Sequence, residues 1–553
     1  MKQLLLYLLF VLYAPSLVAQ QTPGEGLAAQ KHLVYLTDKK DTPYSLAQPL
    51  TFLSAKAVER RQRQHIPLLA RDLPVDPAYV ATLKQQGVIV WYTSRWFNAA
   101  VVQCSDEQLA ELQALPFVKS TYTLNKTAQP KSEQLKQQKT EVLPLAGQAP
   151  APSGVEDYGF AFHQANMLKA VDLHMAGFRG EGMTIAVLDA GFPGVNTIPA
   201  FSHLFEQEQL KGTFDFVQKE ENVFGANSHG TSVLSTMAAY APGTMLGTAY
   251  GANYLLLRTE DAATEHPIEE INWLLAAEYA DSAGADVINS SLGYTTFDAP
   301  SESYTYEDMD GNTALVSRAA GIAAATGILV VVSAGNDGNN DWHYISAPAD
   351  ADSVLAVGAV DSLGVKATFS SFGPTADGRI KPDVVALGQS AYVLGTTGNL
   401  GQSSGTSFAA PIMAGFATCL WQSMPGKTNY EMIQMLHQLG SNAAAPDDST
   451  GYGIPNYTRL ITALPELSIE AAAFITNPVI QEEIVLTLGE EWERQPVSLH
   501  VYDVTGKTIY RETFAANKTR HVLALQGHQL KQGLYICRLR AESRSATLRL
   551  VKL

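Results

Sequence analysis

The chain has 553 residues, 46% hydrophobic and 17% charged, with a formal net charge of −16. That length is too great for one hydrophobic core, so several folding units are expected. The acidic balance leaves no basic footprint for nucleic acid or an anionic membrane surface.

Residues 1–20 read as a signal peptide. Lys2 precedes a nearly unbroken apolar run from Leu4 to Ala14, Pro15 breaks it, and small or apolar residues follow to Ala19. The run is too short to cross a bilayer and stay there. No later segment is long and apolar enough to be a transmembrane span. Cleavage is expected near Ala19 or Gln20. The three cysteines, Cys104, Cys419 and Cys537, are far apart, and no Cys/His spacing suits zinc. Each is expected as a free buried thiol in a different domain.

Residues 21–125 read as a small α/β domain. Strands are predicted over 32–37, 88–92, 98–103 and 117–122, and a helix over 53–64 that ends in Arg60, Arg61 and Arg63. Ser105 with Gln108 three residues on predicts a capped helix start. Residues 126–153, rich in Gln, Lys, Pro and Ala, read as a solvated linker.

Residues 154–462 form the longest compact stretch. Apolar strands at 183–188, 254–257, 286–289, 328–333 and 354–357 alternate with helical runs at 230–239, 268–282 and 313–326. Gly284 and Gly327 stand where helix ends are wanted. This alternation predicts an α/β fold, a parallel sheet with helices on both faces and a site at the carboxyl ends of its strands. Residues 468–553 switch to period two, as in Val497, Leu499 and Val501, and predict a small all-β domain with a turn at Val504-Thr505-Gly506-Lys507.

Four segments place polar groups where such a sheet presents them. Asp189 follows the apolar run MTIAVL, placed to orient an imidazole, although Asp at a strand end is also ordinary turn chemistry. His229 opens a helix, where the dipole disfavours its charged form, as a general base requires. Ser407 lies in Gly405-Thr406-Ser407-Phe408-Ala409-Ala410-Pro411 at another helix start, where a serine is also a plain N-cap. Pro411 is placed in the first turn, where its missing N–H costs least. Asn336, in Ser333-Ala334-Gly335-Asn336, offers an amide donor or a simple turn.

Taken together, these segments resemble the subtilisin family of serine peptidases. The order Asp, His, Asn, Ser is that family's order. GTSFAAPIMAG matches its nucleophile signature almost residue by residue, and SHGTS and SAGN match further motifs. The resemblance implies a subtilisin-like sheet and a catalytic triad of Asp189, His229 and Ser407. It also implies Asn336 as oxyanion donor and substrate-binding segments at Ser291, Leu292, Gly293 and at Ser333, Ala334, Gly335. The implied reaction is hydrolysis of polypeptide substrates by a serine endopeptidase through an acyl-enzyme. Departures are DAGF after the strand, Ser232 after HGT, Ala386-Leu387-Gly388, and the stretch 245–258, which bear on subsites rather than on the triad.

By position, residues 21–125 resemble the inhibitory propeptide of subtilisins, with 126–153 as the maturation region. Asn477-Pro478-Val479, VYDVTGK and GLYICRL resemble the sorting domain of Bacteroidetes proteins exported by type IX secretion. The expected partners are polypeptide substrates, the chain's own propeptide and the secretion machinery. The expected location runs from the periplasm onward to the cell surface or medium. No cofactor is required and no metal ligand is assigned; a structural calcium is allowed for without an assignable site. Asp308-Met309-Asp310-Gly311-Asn312 lacks the acid at 306 and the Glu at 317 of a calcium loop, having Tyr306 and Ser317.

Two alternatives stand beside this reading. A non-catalytic surface adhesin on the same scaffold would have lost a triad member, and none is lost. An esterase is suggested by Gly401-Gln402-Ser403-Ser404-Gly405, but the chain order is wrong for it and the preceding residues 396–399 are loop-like.

Overall fold

The computed structural model describes residues 30–124, 143–144, 156–462 and most of 473–552. The signal peptide, nearly all of the linker, Asn477–Val479 and Val504–Gly506 lie outside the described residues.

The N-terminal unit is an antiparallel sheet of β1 (Gln30–Leu36), β2 (Ile89–Ser94), β3 (Ala99–Cys104) and β4 (Val118–Thr123), in the order β2-β3-β1-β4. Strands β1 and β3 alternate between two apolar faces. Ala100, Val102 and Cys104 face a core of their own, against α2 (Pro77–Gln85) and α3 (Asp106–Gln113). Ala99 and Val101 face the central unit, residues 156–462. The capping box between Ser105 and Gln108 forms as predicted. Helix α2 was not anticipated, although Asp76 caps it and Pro77 opens it. The basic helix predicted over 53–64 is α1 (Ala55–Arg63), capped by Ser54.

The central unit holds a seven-stranded parallel sheet. Its strands are β5 (Thr184–Asp189), β6 (Leu210–Asp215), β7 (Asn253–Arg258), β8 (Val287–Ser290), β9 (Leu329–Ser333), β10 (Leu355–Val360) and β11 (Val384–Leu387), in the order β11-β10-β9-β8-β5-β7-β6. Two apolar cores cover its faces. One holds α4 (His229–Ala238) and α7 (Thr406–Ser423), and the other α5 (Ile268–Ala283) and α6 (Leu315–Ala325). Gly284 ends α5 at φ +87°, a left-handed conformation that glycine adopts without strain. The strands that sequence reading missed, β6 and β11, are the two edges of the sheet. β6 is largely half-buried and carries Lys211, Gly212 and Thr213, so it lacks the apolar run of a central strand.

The C-terminal unit is all-β, as expected. One antiparallel sheet joins strands at 473–475, 483–488 and 520–524, and a second joins 508–515, 496–502, 533–541 and 544–552. Cys104, Cys419 and Cys537 are free and buried in three separate cores.

Candidate active site

Asp189 is the last residue of β5, at the carboxyl edge of the sheet, and is fully buried. Its Oδ1 accepts from the Ala190 N–H at 2.7 Å. His229 is the first residue of α4 and is 6% exposed. Its Nδ1 lies 2.8 Å from Asp189 Oδ1 and 3.1 Å from Oδ2. The residue after it must be glycine for this approach: a Cβ on Gly230 would lie 2.4 Å from the Gly191 carbonyl and 3.0 Å from Asp189 Cβ. The helix start can therefore close on the strand end.

The imidazole titrates above its ordinary value of 6.5. Burial disfavours the imidazolium, but the charge of Asp189 and its hydrogen bond outweigh burial. The net direction is opposite to that expected from the helix dipole, because a carboxylate in contact acts more strongly than partial charges at a helix end.

Ser407 is the second residue of α7 and is 3% exposed. The N-cap is Gly405 rather than a serine. Ser407 Oγ donates to the Ser291 carbonyl at 3.3 Å, and among the described residues no hydrogen bond joins it to His229. Pro411 is not in the first turn as expected; it is the sixth residue of α7. Lacking an N–H, it cannot serve the Ser407 carbonyl four residues earlier. The Ser291 hydroxyl takes that role, donating to Ser407 O at 2.8 Å.

Asn336 follows β9. Its Oδ1 accepts from the Thr406 N–H at 2.8 Å and from Thr406 Oγ1 at 3.0 Å. Because the Thr406 N–H can only donate, the amide is oriented with oxygen toward α7, and its N–H₂ is left for a guest.

The two substrate-binding candidates differ. Ser291 is buried, whereas Leu292 and Gly293 reach the surface, and all three line a cavity of about 130 Å³ shared with His229. In Ser333-Ala334-Gly335 the backbone is already used: Ala334 pairs with Val357 and Ser346, and Gly335 with Thr406 and Ser371. That segment leads into Asn336.

The same cavity is lined by carboxylates that sequence reading missed. Glu260, Glu265 and Glu269 bring oxygens within 4.8 Å of one another, the group among the described residues that could hold a metal ion. Burial and the nearby Glu265 push Glu260 up to about 8, and burial with Glu260 raises Glu269 well above the carboxylate range. The signal was present in the Glu-rich stretch after β7, but only folding brings residues 260 and 269 face to face. Asp308 and Asp310 serve their own turns, accepting from Thr305 and from Asn312 and Thr313. Ser403 of the esterase-like motif lies within a strand at 400–403, closer to the motif's requirement than the expected loop; residues 396–399 are a turn.

Comparison with known proteins decides the family. The Subtilase family matches residues 180–453, the Peptidase S8 propeptide domain of Bacteroidota residues 31–141, and the Secretion system C-terminal sorting domain residues 477–553. Subtilisin DY of Bacillus licheniformis is 32% identical over 289 residues, 52% of this chain and 93% of that protein. The chain belongs to the subtilase family. Subtilisin E of Bacillus subtilis (strain 168) is also 32% identical, over 292 residues, 52% of this chain and 67% of its own length. The chain is thus a subtilisin-like serine endopeptidase with a propeptide domain before the catalytic unit. Its sorting domain marks it for secretion to the cell surface or medium. No described helix is long and apolar enough to cross a membrane.

Proposed function

We propose that this subtilase hydrolyses peptide bonds through an acyl-enzyme on Ser407, with Asp189 and His229 completing the triad and Asn336 as oxyanion donor. The observation that supports this most is the buried Asp189 carboxylate against His229 Nδ1, at 2.8 and 3.1 Å. With Nδ1–H committed to Asp189, Nε2 is left as the base.

Ser407 Oγ attacks the scissile carbonyl and its proton passes to Nε2. The oxyanion is met by the Asn336 N–H₂ and the Ser407 backbone N–H at the start of α7. His229 then protonates the leaving amine, and water, deprotonated by His229, releases the acid. In the resting structure Ser407 Oγ donates to Ser291 O at 3.3 Å, a bond to be exchanged for one to Nε2 when substrate arrives; catalytic hydrogen bonds are often loose before then. The reaction so written uses protein groups and water, and neither a cofactor nor a calcium site is assigned.

On this reading residues 1–20 direct export, 21–125 block the cleft until maturation within 126–153, 154–462 catalyse, and 468–553 engage the secretion machinery. A fluorophosphonate probe tests the nucleophile. Mass mapping should find the label on Ser407. Label on Ser403, or turnover without any labelling, contradicts the assignment.

A further inference from the structure

The N-terminal unit touches the catalytic unit in two distinct ways. One contact is apolar. Leu33, Trp96, Phe97, Ala99, Val101 and Leu124 join the core over α5 and α6, and the Ile268 N–H donates to the Leu124 carbonyl at 3.2 Å. The second contact lies at the other end of those helices and is almost wholly polar.

It is made chiefly by α1, which contributes no side chain to any of the apolar cores. Asp281, in the last turn of α5, is fully buried and receives three arginines. Arg60 reaches Oδ1, Arg61 bonds both oxygens at 2.8 and 2.9 Å, and Arg95 reaches Oδ2 at 2.5 Å. Arg60 also donates to the carbonyls of Ala285 at 2.5 Å and Thr326 at 3.2 Å, just past the ends of α5 and α6. Gln64 donates to the Gly327 carbonyl at 2.7 Å and accepts from the Asn429 N–H at 2.9 Å. Nearer solvent, Lys56 and Arg63 share Asp286 at 2.9 and 3.3 Å.

Chemically this is a socket for a basic helix. Two helices present the negative ends of their dipoles and the carbonyls at and just past their caps, with the Asp281 carboxylate in the last turn of one of them. Burial alone would raise the Asp281 carboxyl, but the charges of Arg60, Arg95 and Arg61 hold it below its ordinary value of 3.8. A lowered value means that the contact keeps its full strength above the ordinary carboxylate range and loses it only as pH falls through the lowered one.

We propose that α1 is a dedicated anchor. Its contact with the carboxyl ends of α5 and α6, remote from the cleft, sets the lifetime of the complex between the two units once the linker joining them is cut. Breaking a buried hydrogen-bonded charge pair acts mainly on the rate of dissociation, so the anchor slows release without touching the reacting groups.

The test uses the full chain as Ser407→Ala, which cannot digest itself, with a site-specific protease sequence placed between residues 125 and 142. After cutting and dilution, gel filtration follows separation of the two pieces. The readout needs the propeptide assignment but not the triad, so its failure is distinct from failure of the proposed mechanism. With the anchor intact the pieces should co-elute. Arg60→Gln/Arg61→Gln should separate about a hundredfold faster or more. Lys56→Ala/Arg63→Ala removes only the half-exposed pair, should fold whatever the first variant does, and should separate measurably faster than the parent. Separation of both variants at the parent rate, or of the second alone at that rate where the first fails to fold, overturns the proposal.

Discussion

His229 shows how one contact sets a residue's chemistry. The Asp189 carboxylate that fixes its tautomer also raises its pKa above 6.5, so the neutral imidazole needed as base is lost at mildly acidic pH. For an uncharged peptide, kcat/KM should rise with pH along a limb centred above 6.5, and Asp189→Asn should lower both that midpoint and kcat. A midpoint at or below 6.5 in the parent enzyme would contradict the account. The candidate residues stood out in sequence only as a set: singly, Asp189 reads as turn chemistry and Ser407 as an N-cap, and it is the order of the four segments together with GTSFAAPIMAG that carries the resemblance. The direction of the His229 shift was not legible. It depends on a partner 40 residues away that folding brings within 2.8 Å.

At the scale of elements, α7 carries the clearest coupling between sequence and site. Pro411 removes the donor that the Ser407 carbonyl would have, and Ser291, from the loop after β8, replaces it. Ser291→Ala leaves that buried carbonyl unpaired and should cost about 1–3 kcal/mol of stability, read by thermal or denaturant unfolding. An unchanged midpoint would mean that the carbonyl finds another donor. Pro411 was visible in the sequence and the helix start was read to within a residue, but at the sixth position it lies past the first turn, where its missing N–H leaves a carbonyl to be served. Its compensating hydroxyl is 116 residues distant and carries no local signal. The edge strand β6 escaped notice for a related reason: an edge has fewer neighbours to cover it, so its residues need not be continuously apolar; β11 is apolar and buried throughout but only four residues long, too short for a periodic signal.

On the scale of the whole molecule, three units are each built on their own core, with one thiol in each. Burial raises the thiols of Cys104, Cys419 and Cys537 alike, so they should resist alkylation until unfolding, and a reductant should leave the melting temperature unchanged. A downward shift with reductant would reveal a disulfide and contradict the structure. The division into units was legible from switches in periodicity, from alternating apolar strands and helices to period two. How the N-terminal unit docks was not. Arg60, Arg61 and Arg63 read as an ordinary basic helix end until Asp281 and Asp286 are found opposite them.

The central claim is that a hydroxyl at one helix start, a buried imidazole–carboxylate pair and an amide donor act as one catalytic group. Turnover of a peptide substrate by the matured enzyme with Ser407→Ala measures it most directly. The account predicts a loss of about a millionfold in kcat, a magnitude set by subtilisins, with the fold and substrate binding retained. Cleavage by that variant at a rate near the parent's would contradict it.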